Sequence, residues 1–208
     1  MLELFKVALF DLDGVILDTE MQYSCFWGDM GRTYHPEVPD FANRIKGQTL
    51  VEIFDRWFAG QTERQAEVTR RLNDFEAHMS YTYIKGTRAY VEGLRRRGIC
   101  TAIVTSSNDA KMRHVMSAHP EFSELFDHIF TSEDFSASKP APDCYLLGAR
   151  HFGVKPDECI VFEDSINGLR AGRAAGCYVI GLATTNTRSA VAPLADIVID
   201  DFTSPQLP

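Results

Sequence analysis

Six short apolar runs recur along the chain, each rich in β-branched or aromatic residues. They are 6–10 (KVALF), 99–104 (ICTAIV), 128–131 (HIFT), 159–163 (CIVFE), 177–182 (CYVIGL) and 196–200 (DIVID). Most are continuous rather than alternating, which suits strands buried on both faces of a parallel sheet. Between them the spacing of apolar positions predicts helices over 88–97, 110–119, 143–152 and 166–175. Gly98, Gly153 and Gly176 each close a helical run, where a left-handed residue is favoured. Strands alternating with helices define an α/β doubly wound fold.

Residues 19–83 break that rhythm. They are helix-like throughout (TEMQYSCFWGDM, LVEIFDRWF, ERQAEVTRRLNDFEAHM) and contain no convincing strand. They interrupt the first β-to-α step, so they read as a helical insertion entered near Ile16–Thr19 and left near Ile84–Gly86. The expected division is a core of 1–16 and 86–208 around a helical unit of 17–85. The small residues Ala171, Gly172, Ala174 and Ala175 predict close helix packing, since no Gly-x-Gly precedes them to make a dinucleotide fingerprint.

Composition narrows the function. A chain of 208 residues can bury one sizeable core and a small second module. The formal net charge of −8 argues against a nucleic-acid backbone as partner. It leaves room for an anionic small molecule, because a metal or lysine can reverse the field inside one cleft. No stretch approaches the roughly 20 apolar residues of a membrane span. The N-terminal MLELFKVALF carries an early acid and runs into a strand, unlike a signal peptide. The five cysteines are scattered without a Cys-x-x-Cys pair, which reads as reduced thiols in a cytoplasmic protein. The six histidines lack zinc-ligand spacing. The sequence is compatible with a monomer and does not set the oligomeric state.

Ligands of open α/β sheets gather beyond the carboxyl ends of the strands. The first strand ends in Asp11-Leu12-Asp13-Gly14, the second in Thr105-Ser106-Ser107-Asn108, and the fourth in Glu163-Asp164-Ser165. A helix start expected after the third holds Ser138-Lys139-Pro140. Asp-Gly between apolar runs is also a hairpin signal. However, the residues after Leu17 are helical in pattern, and a hairpin leaves the other polar strand ends unexplained.

Acids, hydroxyls and one lysine on a common edge suit phosphoryl transfer through an aspartyl-phosphate. A carboxylate attacks phosphorus only when the charge on both partners is screened, and Mg²⁺ does this with hard oxygen ligands. Asp11 and Asp164 are the candidate carboxylate ligands. Asp13 points the same way as Asp11 if strand geometry persists, placing it to pass a proton to the leaving oxygen. Thr105 and Lys139 would neutralise phosphoryl oxygens. Gly14, Ser106, Ser107 and Asn108 are candidate substrate contacts around an anion nest, and Asn108 is equally placed to cap the next helix. Lys46 and Arg44 in the helical insertion could meet the rest of the substrate. Thr19 is either a helix N-cap or a substrate contact.

The segments DLDGVILDTE, IVTSSN, SKPAPDCY and VFEDSINGLRAGRAAG resemble, in order, the four motifs of the haloacid dehalogenase superfamily. The resemblance covers residues 5 to about 185 and is nearest the β-phosphoglucomutase and sugar-phosphatase branch. It implies a Rossmann-like sheet with helices on both faces and a small helical cap that opens and closes. It implies Asp11 as nucleophile, Asp13 as general acid and base, and Thr105 and Lys139 on the phosphoryl group. Mg²⁺ would be held by Asp11, the Asp13 main-chain oxygen and Asp164, with Glu163 adjacent or acting through water.

The sequence departs from the mutase pattern in two places. Tyr23 stands where mutases carry a cap histidine, and Lys46-Gly47-Gln48-Thr49-Leu50 keeps the lysine of the cap loop but lacks its arginine. Both weaken the grip on a bisphosphate and leave water as the expected acceptor. Dehalogenase activity is disfavoured by Asp13 itself. The expected function is therefore a Mg²⁺-dependent phosphatase of a small phosphorylated metabolite, a sugar phosphate in the first instance. A phosphomutase is the alternative and a non-catalytic regulator a distant third.

Overall fold

The computed structural model describes residues 4–208. Residues 1–3, part of the N-terminal stretch read above as unlike a leader, lie outside the described residues. The chain opens with β1 (Val7–Phe10) and enters four helices: α1 (Glu20–Tyr34), α2 (Phe41–Ile45), α3 (Leu50–Trp57) and α4 (Thr62–His78). It returns through α5 (Thr87–Arg96), β2 (Cys100–Val104), α6 (Asp109–Ala118), α7 (Phe122–Leu125) and β3 (His128–Phe130). The remainder runs α8 (Asp143–His151), β4 (Cys159–Glu163), α9 (Ile166–Ala175), β5 (Tyr178–Leu182), α10 (Arg188–Val191) and β6 (Ile197–Ile199).

The six strands form one parallel sheet in the order β3-β2-β1-β4-β5-β6. The four inner strands are buried on both faces, which explains their continuous apolar sequences, while the edge strands β3 and β6 are partly exposed. Ala8, Phe10, Ile103, Ile160, Phe162 and Ile180 face one core, while Val7, Leu9, Ala102, Val104, Val161 and Val179 face the other. The rings of Phe10 and Phe162 stack at 4.4 Å between centroids across β1 and β4. On the second face, a β-carbon on Gly172 would lie 3.0 Å from Val179, and Ala171 and Ala175 are buried, so these three serve close packing, whereas Ala174 is exposed.

The strand order reverses at β1, between β2 and β4, and opens a crevice beyond its carboxyl end. Register fixes what meets there. Phe10 is level with Ile103 on one side and Phe162 on the other. Asp11 therefore emerges beside Val104-Thr105 and Glu163-Asp164, and its N–H still donates to Phe162 O at 3.0 Å.

The four inserted helices enclose an apolar cluster of their own, including Phe26, Trp27, Phe41, Ile53, Phe58 and Leu72. Two connecting segments join this layer to the sheet. Asp18 N donates to Thr82 O, Ile84 N donates to Ile16 O, and Leu17 pairs antiparallel with Tyr83. The short helices α7 and α10 fall outside the sequence expectation, and α2 lies within the helical insertion without having been singled out. One placement is corrected: Lys139 lies in the loop ahead of α8, not at its start, because the helix begins only at Asp143. No described helix is long and apolar enough to cross a membrane, and all five cysteines are free thiols.

Candidate active site

Lys139 is the centre of the arrangement. Its ammonium, 2% exposed, donates to Asp11 Oδ1 at 2.6 Å, to Glu163 Oε1 at 2.6 Å and to Val104 O at 3.1 Å. Burial works against its charge, but Asp11 and Glu163 outweigh that and raise its pKa. Asp11 is pushed up to about 7, first by burial and then by its Glu163 and Asp13 neighbours, with Lys139 opposing. Burial also lifts Asp164 well above the usual carboxylate range, with Glu163, Glu20 and Asp11 adding to the effect. Carboxylate oxygens of Asp11, Glu163 and Asp164 all lie within 4.8 Å of one another.

Glu163, expected beside a metal, has its oxygens already occupied. Oε1 accepts from Lys139 and from Tyr145 Oη at 2.8 Å. Oε2 accepts from the N–H groups of Asp164 and Ser165 and from Ser165 Oγ. Five donors use the roughly four lone-pair sites of a carboxylate. Glu163 therefore acts on the site through Lys139 and the turn into α9.

Asp13 is held from three directions. Oδ1 accepts from Thr19 Oγ1, while Oδ2 accepts from Ser107 Oγ at 3.1 Å and from Lys111 Nζ. Thr19 occupies the N-cap position of α1 but makes no side-chain cap; its hydroxyl serves Asp13 instead. Thr105, 1% exposed, accepts from Ser107 N at 3.0 Å and keeps its own proton to donate. Ser106 Oγ is buried without a partner on the wall of the cavity.

Of two further expected substrate contacts, Asn108 lines the cavity and Gly14 does not. Asn108 Oδ1 accepts from Lys111 N at 2.9 Å and caps α6. Gly14 donates its N–H to Leu17 O. Its φ of +73° and its closeness to Asp164 explain the glycine, since a β-carbon there would lie 2.2 Å from Asp164 Oδ2.

Above these groups lies a cavity of about 820 Å³, roofed by α1, α3, α4 and the loop at Lys46. Lys46 Nζ is 3.5 Å from Glu20 Oε2. Arg44 turns away, donating to Pro39 O at 3.0 Å. Tyr23 Oη donates to Glu76 Oε1 at 2.9 Å, and the Glu76 carboxyl is raised by burial. The sequence reading missed Lys111, Glu76 and Tyr145. Lys111 carried one usable signal: it is a cation in the first turn of a helix starting at the ligand edge, where the dipole favours an acid.

A parallel sheet with its switch point at β1, an inserted helical layer and buried acids bridged by lysine define a hydrolase of the haloacid dehalogenase-like class. The family model described as haloacid dehalogenase-like hydrolase matches residues 5–176, and the chain belongs to that family. Hexitol phosphatase A of Escherichia coli is 36% identical over 183 residues, covering 85% of this chain and 82% of that enzyme. A β-phosphoglucomutase of Mycobacterium tuberculosis is 28% identical over 240 residues, covering 96% and 91%. Among solved structures, a family IA variant 3 HAD hydrolase from Entamoeba histolytica superposes with a TM-score of 0.82 at 23% identity, covering 96% and 94%. Other relatives of similar coverage are named validoxylamine A 7'-phosphate phosphatase and probable pseudouridine-5'-phosphatase.

Proposed function

We infer that the protein is a Mg²⁺-dependent phosphatase of a small phosphorylated metabolite, a sugar or sugar-alcohol phosphate, acting through an aspartyl-phosphate on Asp11. The observation that carries this reading is the Lys139 bridge between Asp11 and Glu163, with Asp164 beside it.

The donor set fits a divalent cation. Asp164 makes no ion pair among the described residues, and Lys139 pairs with only two of the three clustered carboxylates. Asp11, Asp164 and the main-chain oxygen of Asp13 would hold the ion, with Glu163 fixing Lys139 rather than ligating. Bound Mg²⁺ would screen the negative charge shared by the nucleophile and the phosphate.

The protein groups then divide the work. Lys139 holds the Asp11 carboxylate in one orientation beside the incoming phosphorus. A carboxylate oxygen of Asp11 bonds to phosphorus as the ester P–O bond breaks. The electron pair leaves with the oxygen, which takes the proton carried by Asp13. In the second half, Asp13 removes a proton from water, whose oxygen attacks phosphorus and returns Asp11 to the free carboxylate. Thr105 Oγ1 and Ser106 Oγ are the hydroxyls available to phosphoryl oxygens. The helical layer acts as a cap, with the paired segments at Leu17 and Tyr83 as its hinge and bulk water excluded on closure. Free thiols throughout suit a reducing, cytoplasmic setting.

A panel of phosphorylated sugars, sugar alcohols and nucleotides, assayed for Mg²⁺-dependent phosphate release, tests the reading. Release from the sugar-type esters supports it, and a panel without turnover overturns it. The β-phosphoglucomutase relative favours a second reading, a phosphomutase. Besides Lys139, the cavity's lysines are already paired, Lys46 of the helical layer with Glu20 and Lys111 of α6 with Asp13, which leaves little to grip a second phosphate. Interconversion of glucose 1- and 6-phosphate without net phosphate release would select the mutase.

A further inference from the structure

Lys111 occupies a costly position. It lies in the first turn of α6, where the helix dipole opposes a cation, and is 2% exposed. A buried ion pair is weak evidence for stability, because an apolar replacement is often neutral or better. Its contacts point to chemistry instead. The ammonium reaches Asp13 Oδ2 from the sheet side and sits 4.4 Å from the centre of the Tyr23 ring on the helical layer. Tyr23 is itself tied to Glu76 on α4.

Resting on the phosphatase reading above, we propose that Lys111 is a positioning residue for the proton-transfer step, holding the Asp13 carboxylate toward the leaving group when Tyr23 closes over it. Lys111 and Ser107 occupy Oδ2, and Thr19 takes one site on Oδ1. The carboxylate plane is thereby fixed, and one lone-pair site on Oδ1 remains for the proton that moves. The positive charge also favours the carboxylate left behind once that proton has gone to the departing oxygen. Lys111 meets Asp13 and Lys139 meets Asp11, so the two lysines divide the site. One orients the nucleophile and the other orients the acid.

The test uses the full chain with Mg²⁺ and two esters, 4-nitrophenyl phosphate and phenyl phosphate. Nitrophenolate leaves without a proton, whereas the more basic phenolate needs one. The ratio kcat/KM reports the step in which the leaving group departs. Lys111→Met is expected to lose roughly 100-fold in kcat/KM on phenyl phosphate and less than about 5-fold on 4-nitrophenyl phosphate. Lys111→Arg should recover most of the difference. In an Asp13→Asn background, Lys111→Met should add no further loss, because the two residues act as one unit.

Equal losses on the two esters, or additive losses in the double variant, overturn the assignment and make Lys111 a structural or phosphate-binding residue. Thermal melts accompany each variant, and Lys111→Gln takes the same comparison if the methionine variant does not fold. A wild-type chain that turns over neither these two esters nor any sugar-type ester overturns the phosphatase reading itself and this one with it. An active wild type with equal losses overturns this one alone.

Discussion

A β-carbon added to Gly168 would fall 1.8 Å from Glu163 Oε1. Glu163 is fully buried and the first turn of α9 packs directly against its carboxylate, so neither can move without the other. Gly168→Ala sets two effects against each other. Replacing a helical glycine gains at most about 1 kcal/mol of propensity. Overpacking a filled site loses about 1–3 kcal/mol, and the contact is too short for relaxation to remove it cheaply. The variant is expected to be less stable in urea. The displaced Glu163 should misplace Lys139, lowering kcat roughly 100-fold. A variant more stable than the wild type and fully active would contradict the claim that Gly168 provides clearance for Glu163.

Asp11→Asn separates chemistry from folding. The amide keeps an oxygen for Lys139 but cannot attack phosphorus. Turnover is expected to fall at least about 1000-fold. Stability should not fall with it, because one of three crowded buried carboxylates has lost its charge. Melting temperature and phosphate release, measured on the same sample at mildly alkaline pH, check both halves. Retained turnover would remove Asp11 from the nucleophile's role.

Much of this site was legible because strand ends in a parallel sheet share an edge. Asp11, Thr105 and Asp164 each follow a continuous apolar run, and register alone brings them together. Lys139 was legible as the one lysine expected after the third strand, but it was placed at a helix start because its loop has no periodicity to show that the helix begins only at Asp143. The helical layer announced itself by its helix-like pattern and lack of strands, but α2 is too short to show a repeat. Lys111 was missed because a lysine on a helix normally reads as solvated surface. Its burial depends on Tyr23 and Asp13, which are far away in sequence and meet it only in the folded protein. Glu163 reads from its motif as adjacent to a metal or acting through water; that Tyr145 and Lys139 of another segment donate to it is visible only in the fold.

Metal removal should act on stability with a definite pH dependence. Asp11 binds its proton more tightly in the folded chain, at about 7 against an unfolded value of 3.8, and Asp164 is shifted the same way. A raised carboxyl contributes stability that is fully present below the unfolded pKa and lost as pH rises through the folded one. The EDTA-treated protein should therefore become less stable between about pH 4 and about pH 8. Mg²⁺ replaces those protons, so its stabilising shift in Tm should grow over the same range. Melts with EDTA and with saturating MgCl₂ at the two ends of that range decide it. A metal-induced shift that is as large at the acid end as at the alkaline end would show that the acids do not titrate as a crowded set.

Lys46 offers a test of where the substrate's non-reacting part lies. It reaches into the cavity from the loop between α2 and α3 and pairs with Glu20 at 3.5 Å, longer than a tight ion pair. That looseness leaves donors for substrate hydroxyls. A contact to a part of the substrate that does not react stabilises ground state and transition state alike, so its loss appears in KM rather than kcat. Lys46→Met is expected to raise KM for the sugar-type substrate roughly 10-fold, the effect of one hydrogen bond to a charged group. It should leave kcat within about twofold and leave 4-nitrophenyl phosphate, which presents no hydroxyls, unaffected. Loss of Lys46 also removes one of the two lysines, with Lys111, that oppose the burial-driven rise of the Glu20 carboxyl. A fall in kcat on both substrates would instead place Lys46 in closure of the helical layer.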